Sequence, residues 1–141
     1  MSETRTSAGS ELRDDARERF YHESFEFHVD VAKQLVRVKF AEIVTCEEIA
    51  SYAKALRVHP DFKPTFAEIV DLREARYLDL EAADFLRLAD HVDPFSGEAK
   101  RAFVVQTSVQ NHAARMHKIL RAERNIAIFH SLQEAEDWIQ A

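Results

Sequence analysis

The chain has 141 residues, 46% of them hydrophobic and 31% charged, the composition of one globular domain that can bury a core without disulfides or metals. A formal net charge of −6 argues against a general nucleic-acid binder, which needs surplus Lys and Arg to neutralise phosphates. Cys46 is the single cysteine, which excludes an intramolecular disulfide and a cysteine-based zinc site.

Residues 1–22 open with MSETRTSAGS, small and polar, and continue with ELRDDARE, which mixes both charge signs. They read as a flexible or partly helical arm, with the domain proper over 23–141. There is no apolar run of signal-peptide make-up, and none approaches the ~18 residues of a membrane span, so the expected location is the cytoplasm.

Phe25, Phe27 and Val29 alternate with Glu26 and His28, the period of a half-buried strand. Val36, Val38 and Phe40 alternate with Arg37 and Lys39 after a polar turn, so the two strands should form a hairpin. Thr45 and Glu48 make a capping box for a helix carrying Ile49, Tyr52, Ala53 and Leu56. That helix should stop before Pro60, leaving Phe62 in the following loop as a plug against the core.

Ala67 to Leu72 (AEIVDL) is a compact apolar run suited to a central strand covered on both faces. After a linker, REARYLD, Asp79 is expected to cap a helix bearing Leu80, Ala83, Leu86 and Ala89, with Phe85 and Leu88 widening its apolar face. Val92-Asp93-Pro94 ends it. Ala102 to Val105 reads as the next buried strand. Thr107 and Gln110 cap a helix with Val109, Ala113, Met116 and Leu120 on one side. Ile126 to Phe129 is the last strand. Ser131 and Glu134 cap a final helix with Leu132, Ala135, Trp138 and Ile139. The order ββαβαβαβα predicts an α/β fold: a mostly parallel central sheet flanked by helices, with the N-terminal hairpin as an antiparallel edge.

Little in the chain suggests catalysis. Gly9 and Gly97 are the only glycines, too few for a glycine-rich phosphate loop or a nucleophile elbow. The seven histidines show no ligand spacing: His112 and His117 sit five apart on one helix, and the others read as solvated or capping residues. No metal and no cofactor is expected. In open α/β sheets ligands gather at the carboxyl ends of the strands. Those positions here offer Asp71, Arg73 and Glu74, then Gln106, Thr107, Ser108 and Asn111, then His130. Arg115, Lys118, Arg121 and Arg124 recur at helical spacing, a solvated face or a basic strip for an acidic protein partner.

The stretch Ile69 to Leu88, IVDLREARYLDLEAADFLRL, resembles the STAS core pattern of apolar strand, Asp-Leu, short linker, Asp and helix. From Ser24 to Ile139 the chain is similar to small uncharacterised bacterial SpoIIAA-like proteins sharing "LVRV", "HPDF", "VDLRE", "RAFV" and a final "EAxxW". The resemblance implies a STAS-like fold and a non-enzymatic interaction module. STAS antagonists bind a partner kinase and are switched by phosphorylation of a serine in an Asp-Ser-Ser-Gly segment. Asp79 matches the aspartate, Leu80 and Glu81 fall at the serines, and Ala82 falls at the glycine, so the acceptor hydroxyl is missing. Glu81 would instead place a permanent negative charge there. A small-molecule or lipid-binding role is the alternative, since related folds enclose apolar pockets and this chain has ten Phe. Homodimerisation through an unpaired hairpin edge is compatible with either.

Overall fold

A computed structural model describes residues 25–122 and 125–141; the arm expected over 1–22, and Arg124 of the basic series, lie outside them. Strands β1 (Phe25–Asp30) and β2 (Leu35–Phe40) pair antiparallel, with Phe27 opposite Val38. Their turn closes with Gln34 in the left-handed region at φ 53° and with a bond from the Lys33 amide to the Asp30 carboxylate at 3.1 Å.

Next come β3 (Ile43–Thr45) and α1 (Cys46–Arg57). Thr45 and Glu48 make both halves of the expected capping box. Then follow β4 (Ala67–Asp71), β5 (Tyr77–Asp79), α2 (Ala82–Arg87), a π-helical turn (Leu88–Val92), β6 (Arg101–Val104), α3 (Ser108–Arg121), β7 (Ile126–Phe129) and α4 (Leu132–Gln140). The main sheet runs β1-β2-β4-β6-β7, and every pairing after the hairpin is parallel. This is the anticipated architecture.

Side chains alternate across that sheet and divide the core in two. On one face Val36, Val38, Phe40, Val70 and Phe103 pack under Tyr52 and Leu56 of α1 and Ala114 of α3. Phe62 plugs this side as expected, edge-on to Phe95 at 5.2 Å between ring centroids. On the other face Leu35, Ile69, Ala102 and Val104 pack under Ala135, Trp138 and Ile139 of α4. Ile69 and Val70 of β4 and Ala102, Phe103 and Val104 of β6 are apolar in succession because both faces of these strands are covered.

The chain departs from its sequence pattern around residue 79. REARYLD is not a plain linker: Tyr77–Asp79 pairs in parallel with Ile43–Thr45 as a separate two-stranded sheet. Three residues are too few for a period-two signal to emerge. Pairing with Thr45 keeps Asp79 extended, so it does not cap the helix; Glu81 occupies the N-cap position and α2 begins at Ala82. The π-helical turn then inserts its wider i→i+5 bond, Asp93 N–H to Leu88 C=O at 2.9 Å. Phe85, Leu88, Ala89 and Val92 face inward, whereas Ala83 and Leu86, expected on the core side, face solvent. In α3 the buried positions are Gln110, Ala113 and Ala114, and Val109 is exposed. Only half of the Ser131–Glu134 box is seen, the Glu134 amide donating to the Ser131 hydroxyl at 3.1 Å.

Candidate functional site

Glu68 of β4 and Arg101 of β6 are register partners on the sheet face beneath α1 and α3. They are only 1% and 5% exposed. Two opposite charges in an apolar layer persist only when paired and hydrogen-bonded, and here they are. Arg101 Nε donates to Glu68 Oε1 at 3.0 Å, and Nη1 donates to Asp93 Oδ2 at 2.7 Å. The Tyr52 hydroxyl, reaching down from α1, donates to Glu68 Oε2 at 2.6 Å.

Asp93 follows the π-helical turn, which sets its carboxylate over the sheet. Its Oδ2 lies 2.7 Å from His117 Nε2 and 3.5 Å from Arg121 Nε, both on α3. Its Oδ1 accepts the Phe95 amide at 2.9 Å. Arg121 also donates to the carbonyls of Ala89 at 3.2 Å and Phe95 at 2.8 Å. The Arg101 guanidinium lies 4.5 Å from the centroid of the Phe95 ring, a cation–π contact.

These contacts fix charge states. Burial opposes ionisation of Asp93, but His117 and Arg101 outweigh it and hold the carboxyl well below the usual carboxylate range. Burial likewise opposes the Arg101 cation, yet Glu68 and Asp93 drive it further towards the charged form. Burial first, and the Glu68 charge second, push the Tyr52 phenol well above its ordinary value.

The network forms the floor of a cavity of about 100 Å³. Its walls are apolar: Phe40 and Val44 from the sheet side, Ile49 from α1, Leu80, Phe85 and Leu88 from the α2 region. Ile49, Leu78 and Leu80 are half-buried, placing the mouth between α1, β5 and α2.

None of the strand-end residues singled out from the sequence lines this cavity. Asp71 is buried and forms a two-bond pair with Arg73, both at 2.9 Å. Burial opposes ionisation of Asp71, but the Arg73 side chain and amide hold its carboxyl below the ordinary value. Glu74 pairs at the surface with Lys39 at 3.1 Å. Asp79, Glu81, Thr107 and His130 are exposed. Thr107 caps α3, receiving the Gln110 amide at 3.1 Å, and Asn111 is half-buried with its amide on the Thr107 carbonyl. Gln110 joins the two rim loops: its side chain accepts the Gln106 amide at 2.7 Å and donates to the Ala75 carbonyl at 2.9 Å.

The basic strip also divides. Arg115 is exposed and Lys118 half-buried, while Arg121 turns inward to Asp93 and the two carbonyls. His117 likewise belongs to the Asp93 network rather than to the solvated histidines expected from its spacing. Cys46 is buried at the start of α1, with Arg87 Nη1 3.0 Å from its sulfur. Burial raises its thiol, only partly offset by Arg87. Among the described residues no cluster of His, Cys, Asp and Glu could hold a metal ion, and no helix is long and apolar enough to cross a membrane.

No protein-family model matches the chain, and no curated protein does. Among solved structures it is similar to an uncharacterized protein of the DUF3478 family from Shewanella loihica PV-4, described as having a SpoIIAA-like fold. The TM-score is 0.57 at 21% identity, over 82% of this chain and 94% of that one. The fold is SpoIIAA-like. Leu80 packs against the Cys46, Ala53 and Leu88 cluster, and Glu81 is exposed at the helix start.

Proposed function

We propose that this SpoIIAA-like chain is a non-enzymatic, STAS-like module that holds a small, mostly apolar molecule in the cavity between its sheet and helices α1, α2 and α3. The cavity itself carries the reading. Protein interiors are close-packed with few voids larger than a water molecule, so a recess of about 100 Å³ with largely apolar walls is unusual, and a ligand seated there would add packing contacts. The ionic floor supports the same reading, because apolar pockets with a few convergent polar groups are the usual form of small-molecule sites.

Native mass spectrometry of protein purified from its own host tests this. The wild type should carry a non-covalent small molecule. Ala113→Leu, which extends a wall residue into the cavity, should lose it while far-UV circular dichroism is unchanged. Wild-type protein that carries nothing and gains no thermal stability from saturating pentane would overturn the reading.

A second reading, a protein partner met along α3, rests on Arg115 and Lys118, which stay at the surface when Arg121 turns in. Reversing both to Glu should abolish pull-down of an acidic partner and shift the melting temperature by no more than about 3 °C, since exposed charges contribute little to stability. A partner retained by the double variant removes this reading.

A further inference from the structure

Resting on the ligand-holding reading above, we propose that the cavity selects an uncharged molecule with a carbonyl-type hydrogen-bond acceptor, received by Arg101. A guanidinium has five N–H donors. Arg101 spends Nε on Glu68 and one Nη1 proton on Asp93. Its Nη2 meets no acceptor among the described residues, and it is not a fully enclosed orphan. The residue is 5% exposed and lines the cavity, so that cavity is where the remaining donors open.

The acceptors of the floor are already engaged. Glu68 receives Arg101 and Tyr52, Asp93 receives Phe95, Arg101 and His117, and the single Tyr52 proton is spent on Glu68. What the floor lacks is an acceptor, not a donor.

Charge narrows the class further. Each charge of the floor already has a counter-group: Glu68 faces Arg101, and Asp93 faces Arg101 and His117, with Arg121 behind it. A ligand carboxylate or ammonium would add an uncompensated charge among Phe40, Val44, Phe85 and Leu88, which is strongly unfavourable. Size sets the last bound. The volume is about 100 Å³, below the ~150 Å³ of a cavity that holds benzene. It admits a short ketone or ester, or the carbonyl end of a longer chain whose remainder leaves past Ile49 and Leu80.

Four probes on one scaffold test the assignment: 2-pentanone, pentane, pentanoate and pentylamine, titrated into the full chain and followed by NMR of the Ala113 and Ala114 methyls. 2-Pentanone should bind about ten-fold tighter than pentane, the effect of one hydrogen bond to a charged donor. Pentanoate and pentylammonium should bind more weakly than either. Only 2-pentanone should shift the Arg101 guanidinium N–H signals, and in Arg101→Lys its advantage should vanish. Should that variant fail to fold, the wild-type series decides alone. Pentane binding as tightly as 2-pentanone, or pentanoate binding tightest, overturns the carbonyl assignment and leaves the ligand-holding reading standing. No response to any of the four overturns the assignment as well, and the host-purified mass measurement then decides the broader reading separately.

Discussion

Val70→Asp is expected to leave the chain unfolded at 25 °C, or to lower its melting temperature by more than about 10 °C. Val70 is 5% exposed and sits in β4 between Val38 of β2 and Phe103 of β6. Its side chain belongs to the core face that also carries the cavity. A carboxylate there is desolvated, and the charged group two residues away on its own strand face is the Glu68 carboxylate, already paired with Arg101. Burying an unpaired charge costs several kcal/mol, comparable with the ~5–15 kcal/mol that holds a domain together. At about 3 °C per kcal/mol for this size, the loss is plain in a thermal melt by circular dichroism. Val104→Asp tests the opposite face, because Val104 packs beneath α4 with Leu35 and Ile69. A Val70→Asp protein melting within a few degrees of wild type would mean that β4 is not a central buried strand.

That strand was legible because its cause is local: an apolar run bounded by turns. The same holds for the hairpin and for the Thr45 and Thr107 caps, where three residues of sequence separation carry both partners of each bond. The helix after residue 79 was misphased because its start depends on a distant event, the pairing of Tyr77–Asp79 with Ile43–Thr45. Leu86, placed inside on that phase, precedes the π-helical turn and faces solvent, and the inward residues are Phe85, Leu88, Ala89 and Val92.

The site was hidden for a related reason. Glu68 and Arg101 are 33 residues apart, and Asp93 and His117 are 24 apart, so no spacing motif links them. One signal was present: Glu68 and Arg101 stand, with Asp71, as charged residues inside the two most apolar strands. A charge in a strand covered on both faces demands a buried partner. The polar strand ends drew attention instead, and they proved to be caps, surface pairs and the Gln110 clamp rather than cavity walls.

Asp93→Asn is expected to destabilise the chain by about 3–5 kcal/mol at pH 7, and by progressively less as the pH falls. The first part follows from charge: without Asp93, Arg101 keeps Glu68 but loses its second carboxylate, and breaking a buried pair costs about that much. The second follows from linkage. Asp93 is held below the unfolded aspartate value of ~3.9 in the folded chain. Below that value the unfolded chain binds a proton that the folded chain does not, so folding stability rises with pH. The contribution is therefore fully present above the unfolded value and is lost as pH falls towards the folded one, at up to about 1.4 kcal/mol per pH unit. Asp71 and Glu136, held down by Arg73 and Arg37, add the same sign of dependence, but both remain in the variant. Urea unfolding from pH 7 to pH 2.5 should show two curves that converge below pH 4, the Asn variant having the shallower acid limb. Curves that stay parallel through that range would mean that Asp93 is not the ionised hub of the network.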